Sequence, residues 1–117
     1  MTIREFYTAI GSEYAEVEKR LGSEQLILHF VLKFLNDDTV SRLETAYAER
    51  NAADAFRAAH TLKGICANLG FGVLYDTAYQ LTEALRGGSM DGSDPLYEKT
   101  VAEYVRVLTA VKQLAGD

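Results

Sequence analysis

The sequence predicts an all-α protein, an antiparallel up-and-down four-helix bundle with short additional helices at its N-terminus. Three observations carry that expectation. Apolar residues recur at spacings of three and four along nearly the whole chain, and no segment alternates with period two over a strand's length. Glycines punctuate the pattern at Gly11, Gly22, Gly70 and Gly87-Gly88, so the connections are short and neighbouring helices run antiparallel. A single proline in 117 residues favours helix over irregular loops.

In chain order, Ile3, Phe6, Tyr7 and Ile10 define a first short helix that stops at Gly11, with Ser12 placed to cap the next. Tyr14, Val17 and Leu21 carry the second helix to Gly22, and Ser23 followed by Glu24 opens another. Leu26, Ile27, Phe30, Val31, Phe34 and Leu35 form one broad stripe and Val40, Leu43, Ala46 and Tyr47 a second. Between them stands Asn36-Asp37-Asp38; a kinked long helix and two successive helices both fit. Beyond Asn51 an alanine-rich helix runs to Leu69 and closes at Gly70-Phe71-Gly72. Val73, Leu74, Ala78, Leu81 and Leu85 then lead one more helix into Gly87-Gly88. Residues 87–93 read as a flexible loop. Asp94-Pro95 reads as an N-cap and first helical position, opening a final helix whose stripe is Tyr97, Val101, Tyr104, Leu108, Val111 and Ala115. One domain is expected, with short helices over 1–22 and the bundle over 23–117. The seven tyrosines follow these stripes and read as bundle packing with solvated hydroxyls.

Hydrophobic residues make up 48% of the chain and charged residues 25%, enough for one self-sufficient core and too apolar for disorder. Twelve Lys and Arg against seventeen Asp and Glu give a net charge of -5 with no basic block, so neither nucleic acid nor an anionic membrane is an expected partner. No apolar stretch reaches the ~18 residues that span a bilayer; the longest, Leu26 to Leu35, is interrupted by His29 and Lys33. The polar start Met1-Thr2-Ile3-Arg4-Glu5 lacks the apolar region of a secretory signal, and the lone Cys66 has no internal disulfide partner. A cytoplasmic location is therefore expected.

The chemistry concentrates in Ala58-Ala59-His60-Thr61-Leu62-Lys63-Gly64. At about 100° per residue, Leu62, Ile65 and Leu69 fall roughly 200°, 140° and 180° from His60, with Ala55, Ala58 and Ala59 nearby, so the apolar stripe lies behind an outward-facing imidazole. Gly64 falls about 40° from His60 one turn later, Lys63 about 60° to the other side, and Arg57 about 60° away one turn earlier. Glycine inside a helix costs about 1 kcal/mol relative to alanine, which implies a demand for space beside His60; a helix–helix contact is the alternative. Lys63 and Arg57 put positive charge where an anion would sit, and a phosphoryl group fits that place. Imidazole offers a nucleophilic nitrogen near neutral pH without a separate base. Phe56, about 40° from His60 in phase, is a candidate docking patch bordered by Thr61, Ala67 and Ala53. His29 lies opposite its own helix's stripe and reads as solvated. Cys66 points toward the core as an inert thiol, and no His or Cys spacing typical of zinc is present.

His60-Thr61-Leu62-Lys63-Gly64 followed by Asn68-Leu69-Gly70 resembles the signature of histidine-containing phosphotransfer (HPt) domains. The likeness extends to the Phe34-Leu35 helix ending in acidic residues, to the alanine pair before the histidine, and to Leu74, Ala78 and Leu81. Thr82, with Glu83 next, departs from the acidic residue common just after the position of Leu81. The resemblance implies an up-and-down four-helix bundle with extra N-terminal helices. It also implies a histidine phosphocarrier of a two-component phosphorelay: His60 accepts a phosphoryl group from a receiver-domain aspartate and passes it to another receiver, with Lys63 as electrostatic support and Gly64 as access. The implied partners are response-regulator receiver domains and a hybrid histidine kinase. No cofactor of its own is implied, Mg²⁺ arriving with the receiver, and a monomer is expected. The chain carries no Gly-rich phosphate loop, which fits a phosphocarrier rather than an autonomous kinase. The alternative function is a helical adaptor that binds receiver domains or other partners without phosphotransfer.

Overall fold

The computed structural model describes residues 1–116. Among the described residues the chain forms helices α1 (Ile3–Ala9), α2 (Tyr14–Leu21), α3 (Glu24–Lys33), α4 (Thr39–Ala48), α5 (Ala52–Leu69), α6 (Gly72–Leu85) and α7 (Asp94–Gly116), and no strand. The expected all-α bundle is what these residues build. The broad stripe from Leu26 to Tyr47 divides into two successive helices, joined by a 3₁₀ turn over Phe34–Asn36. There the Asp37 carboxylate accepts the Thr39 N–H at 2.9 Å, closing the first turn of α4.

α5 is the central element, packed between α4 and α6, while α6 packs on α7 and α3 reaches both α5 and α7. Its start is set by Asn51, whose side chain accepts the Asp54 N–H at 3.0 Å. Its end is set by Gly70 in a left-handed conformation. The back of α5 serves two apolar clusters in turn. Ala55, Ala58 and Ala59 pack with Leu43, Tyr47, Leu81, Leu85 and Met90, whereas Leu62, Cys66 and Leu69 pack with Phe6, Tyr7, Phe34 and Phe71. Each large side chain fully buried in this way contributes about 1.5–3 kcal/mol.

The short N-terminal helices cover the corner between α5 and α6. The Tyr7 hydroxyl donates to the Leu69 carbonyl at 2.6 Å, and Arg20 donates to the carbonyls of Ala67 and Asn68 at 3.1 and 3.3 Å, satisfying acceptors that the end of α5 leaves open. Arg106 of α7 holds the end of α1 in the same manner, donating to the carbonyl of Ile10 at 3.1 Å.

Several local expectations are corrected. Ser12 does not cap α2, whose N-cap is Glu13; its hydroxyl accepts the Gly72 N–H at 3.1 Å and so caps α6, sixty residues away. Asp94 is already helical and Pro95 is the second helical residue, because the carbonyl of Ser93 accepts the Tyr97 N–H at 2.9 Å. The core stripe of α7 is Thr100, Val107, Ala110, Val111 and Leu114, whereas Tyr97, Val101, Tyr104 and Leu108 are half-buried and Ala115 is exposed. The half-buried tyrosines mark the rims: Tyr97 stacks on Tyr47 and Tyr104 meets Phe34 edge-on. Solvated hydroxyls are likewise wrong for Tyr7 and for Tyr47, whose hydroxyl is buried against that of Ser93. Residues between α6 and α7 form turns in which Met90 and Ser93 are buried. Among the described residues no helix is long and apolar enough to cross a membrane.

Candidate functional site

His60 is exposed at the middle of α5, at the point where the back of the helix passes from one apolar cluster to the other. The alanines and leucines behind it are buried, so the ring's outward direction follows from helical phase. One turn later, a Cβ at Gly64 would meet no neighbour within 4 Å. Gly64 is therefore not a packing glycine: the helix–helix alternative fails and the space beside the imidazole is open. Ala53, Thr61 and Ala67 are exposed along the same face.

The two flanks of His60 differ. Toward α6, Phe56 is half-buried and its ring lies nearly parallel to the imidazole, 19° apart in plane with centroids 6.0 Å apart. Arg86 lies over Phe56, its guanidinium carbon 5.1 Å from the ring centroid. Glu83 holds that guanidinium through two hydrogen bonds, from Nε at 2.9 Å and from Nη2 at 3.1 Å. Lys63, half-buried on the same flank, places its ammonium 5.7 Å from the centroid of the Tyr79 ring. The Glu83 carboxyl is kept below the usual carboxylate range, first by its hydrogen bonding with Arg86 and then by the charges of Arg86 and Lys63.

Toward α4, Thr61 and Arg57 line a polar cleft with Asp38, Arg42 and Glu49. The Arg57 guanidinium is paired with Asp54 one turn earlier, and Arg42 with Asp38. Both cations of the cleft thus have carboxylate partners, the one for Arg57 being an acid at the i,i+3 position.

Sequence reasoning missed the α6 contribution of Tyr79, Glu83 and Arg86. Their signal was present, since spacings of four and three put these three residues on one outward stripe of α6. Thr82 is turned inward, fully buried, with its hydroxyl donating to the Ala78 carbonyl at 2.7 Å. Glu83 is thus the acid that α6 brings to this face.

His29 is exposed beside Phe30, far from this arrangement in the chain, and Cys66 is buried with its thiol pKa pushed up by that burial. Among the described residues no three His, Cys, Asp or Glu side chains form a metal-binding group. On the α6 side of His60 stand a phenyl ring, an ammonium and a guanidinium paired with a carboxylate, and one turn on stands the missing side chain of Gly64, a set suited to an anion rather than to a divalent cation.

No curated protein and no solved structure matches the chain. A family model does: the Hpt domain matches residues 32–116, which takes in α4 to α7 and leaves out α1 and α2.

Proposed function

Because the chain belongs to the Hpt domain family, whose work is histidine phosphotransfer in two-component signalling, we propose that His60 is its phospho-acceptor and that it shuttles phosphoryl groups between receiver domains. The observation that carries this reading is an exposed imidazole with open space at Gly64 one turn away. An aspartyl phosphate on a receiver's surface has to be brought within bonding distance of a ring nitrogen, and a side chain at position 64 would stand in the way of that approach.

In the proposed step a ring nitrogen of His60 attacks phosphorus. The N–P bond forms as the bond to the aspartyl oxygen breaks, and the carboxylate leaves with the electron pair. Such a loose transition state needs alignment and charge stabilisation more than covalent assistance. Lys63 supplies the stabilising cation: its ammonium rests over the Tyr79 ring, a weak and exposed contact that a flexible four-carbon stem leaves readily. Mg²⁺ belongs to the receiver's side of the complex in this proposal, and the protein is a carrier without a nucleotide site.

The test is labelling by a phosphorylated receiver followed by intact mass. The expected result is a gain of one phosphoryl group, labile to acid and stable to alkali as a phosphoramidate is, and lost in a folded His60→Gln variant. Labelling retained in His60→Gln rejects the acceptor. Receiver binding without any labelling favours the adaptor function instead.

A further inference from the structure

We propose that Arg86, just beyond the end of α6, is a positioning residue for His60 and acts through Phe56. The inference rests on His60 being the phospho-acceptor. Three contacts stand in series between the two helices. Glu83 accepts both Nε and Nη2 of Arg86, which fixes the plane of the guanidinium as a single hydrogen bond would not. That guanidinium lies over the Phe56 ring at 5.1 Å. The Phe56 ring in turn lies 19° from parallel to the imidazole at 6.0 Å.

A partly exposed aromatic pair four residues apart on a helix is free to sample more than one rotamer unless neighbours hold it. Here Phe56 packs against the apolar cluster that includes Ala55, Leu81 and Leu85, and the Arg86 guanidinium lies over its ring, so the phenyl ring is kept against His60. The imidazole is then backed on its N-terminal side by Phe56 and open on its C-terminal side at Gly64. A ring held in this way presents its nitrogen from one direction, and in-line displacement is sensitive to direction. The same pairing has an electrostatic effect. Glu83 stands close enough to Lys63 to feel its charge, and Arg86 neutralises a carboxylate that would otherwise repel an incoming phosphoryl group. With Arg86 over its ring, Phe56 becomes a support for the histidine more than the docking patch expected from its phase.

The test compares the full-length chain with Arg86→Gln, Arg86→Lys and Phe56→Leu variants. Arg86 is exposed and outside the core, so its variants are expected to fold. Potassium phosphoramidate serves as the phosphodonor with intact mass as the rate measurement, and the ring-proton resonances of His60 report the stacked phenyl ring. In Arg86→Gln those resonances are expected to move toward their positions in Phe56→Leu and the labelling rate to fall about tenfold, with Arg86→Lys recovering part of both. Wild-type resonances in Arg86→Gln overturn the proposal, as does a shift of the resonances with no change in rate. Wild-type chain that takes no label at His60 instead overturns the acceptor assignment, and the resonances still decide whether Arg86 orders the ring.

Discussion

Two glycines six residues apart, one inside α5 and one at its C-cap, stand in opposite relations to the fold. Gly70 has φ +73, and a Cβ there would lie 2.3 Å from Cγ2 of Val17, inside the contact by which α2 seats on the end of α5. Any other residue would meet both a strained backbone and a collision. Gly64 is helical, and a Cβ there would meet no neighbour within 4 Å. The folded chain accepts alanine at 64 without resistance and would gain helix propensity from it. The first glycine is explained by the chain's own packing. The second is explained only by something that approaches from outside, which makes the open gap beside His60 more informative about function than any contact around it.

The largest effect expected from this contrast is at Gly70. Gly70→Ala adds the cost of a left-handed non-glycine residue, about 1–2 kcal/mol, to overpacking against Val17, about 1–3 kcal/mol. A loss of roughly 2–5 kcal/mol in urea unfolding is expected from that sum, while the fraction that remains folded still labels at His60. A Gly70→Ala protein as stable as the wild type would erase the distinction between the two positions.

Gly64→Leu sharpens the contrast from the other side. Leucine is a good helix former and its Cβ meets no neighbour here, so stability is expected to equal that of the wild type or to exceed it by up to about 1 kcal/mol. Its branched side chain fills the space beside the imidazole, and transfer from a phosphorylated receiver is expected to fall by about tenfold or more. Stopped-flow or quenched transfer measurements on the folded variant check this, and a normal rate would mean that the receiver does not enter through the gap.

The sequence made the scaffold legible because its signals are local. Gly22 and Gly70, both at positive φ, end helices where the apolar rhythm breaks, and the outward phase of His60 follows from the alanines and leucines behind it. What it concealed depends on partners distant in the chain. Ser12 precedes a helix and reads as its cap, yet a closer donor at Gly72 is delivered only by tertiary structure. Arg86 and Phe56 are thirty residues apart, and nothing local says that one covers the other. The phase of α7 is masked because its tyrosines imitate core residues; they lie at rims, and the buried stripe runs through the smaller Thr100 and Ala110. Arg57 differs in kind. Its partner Asp54 lies only three residues away, so that pairing is legible in the sequence.

The smallest effect is also the most discriminating. Gly64→Ala adds one methyl group to an exposed helical position where nothing stands within 4 Å. On propensity alone the protein should gain about 0.5–1 kcal/mol, raising the melting temperature by a few degrees for a domain of this size. If the glycine serves only access to His60, that gain in stability should come with a loss in transfer rate smaller than the one leucine causes, graded by side-chain size. Stability and transfer would then move in opposite directions at one residue. A purely structural glycine cannot produce that pattern, since its replacement lowers both together, and an indifferent surface glycine would raise stability and leave transfer untouched. Melting temperature and transfer rate measured on the same preparation of Gly64→Ala separate the three cases.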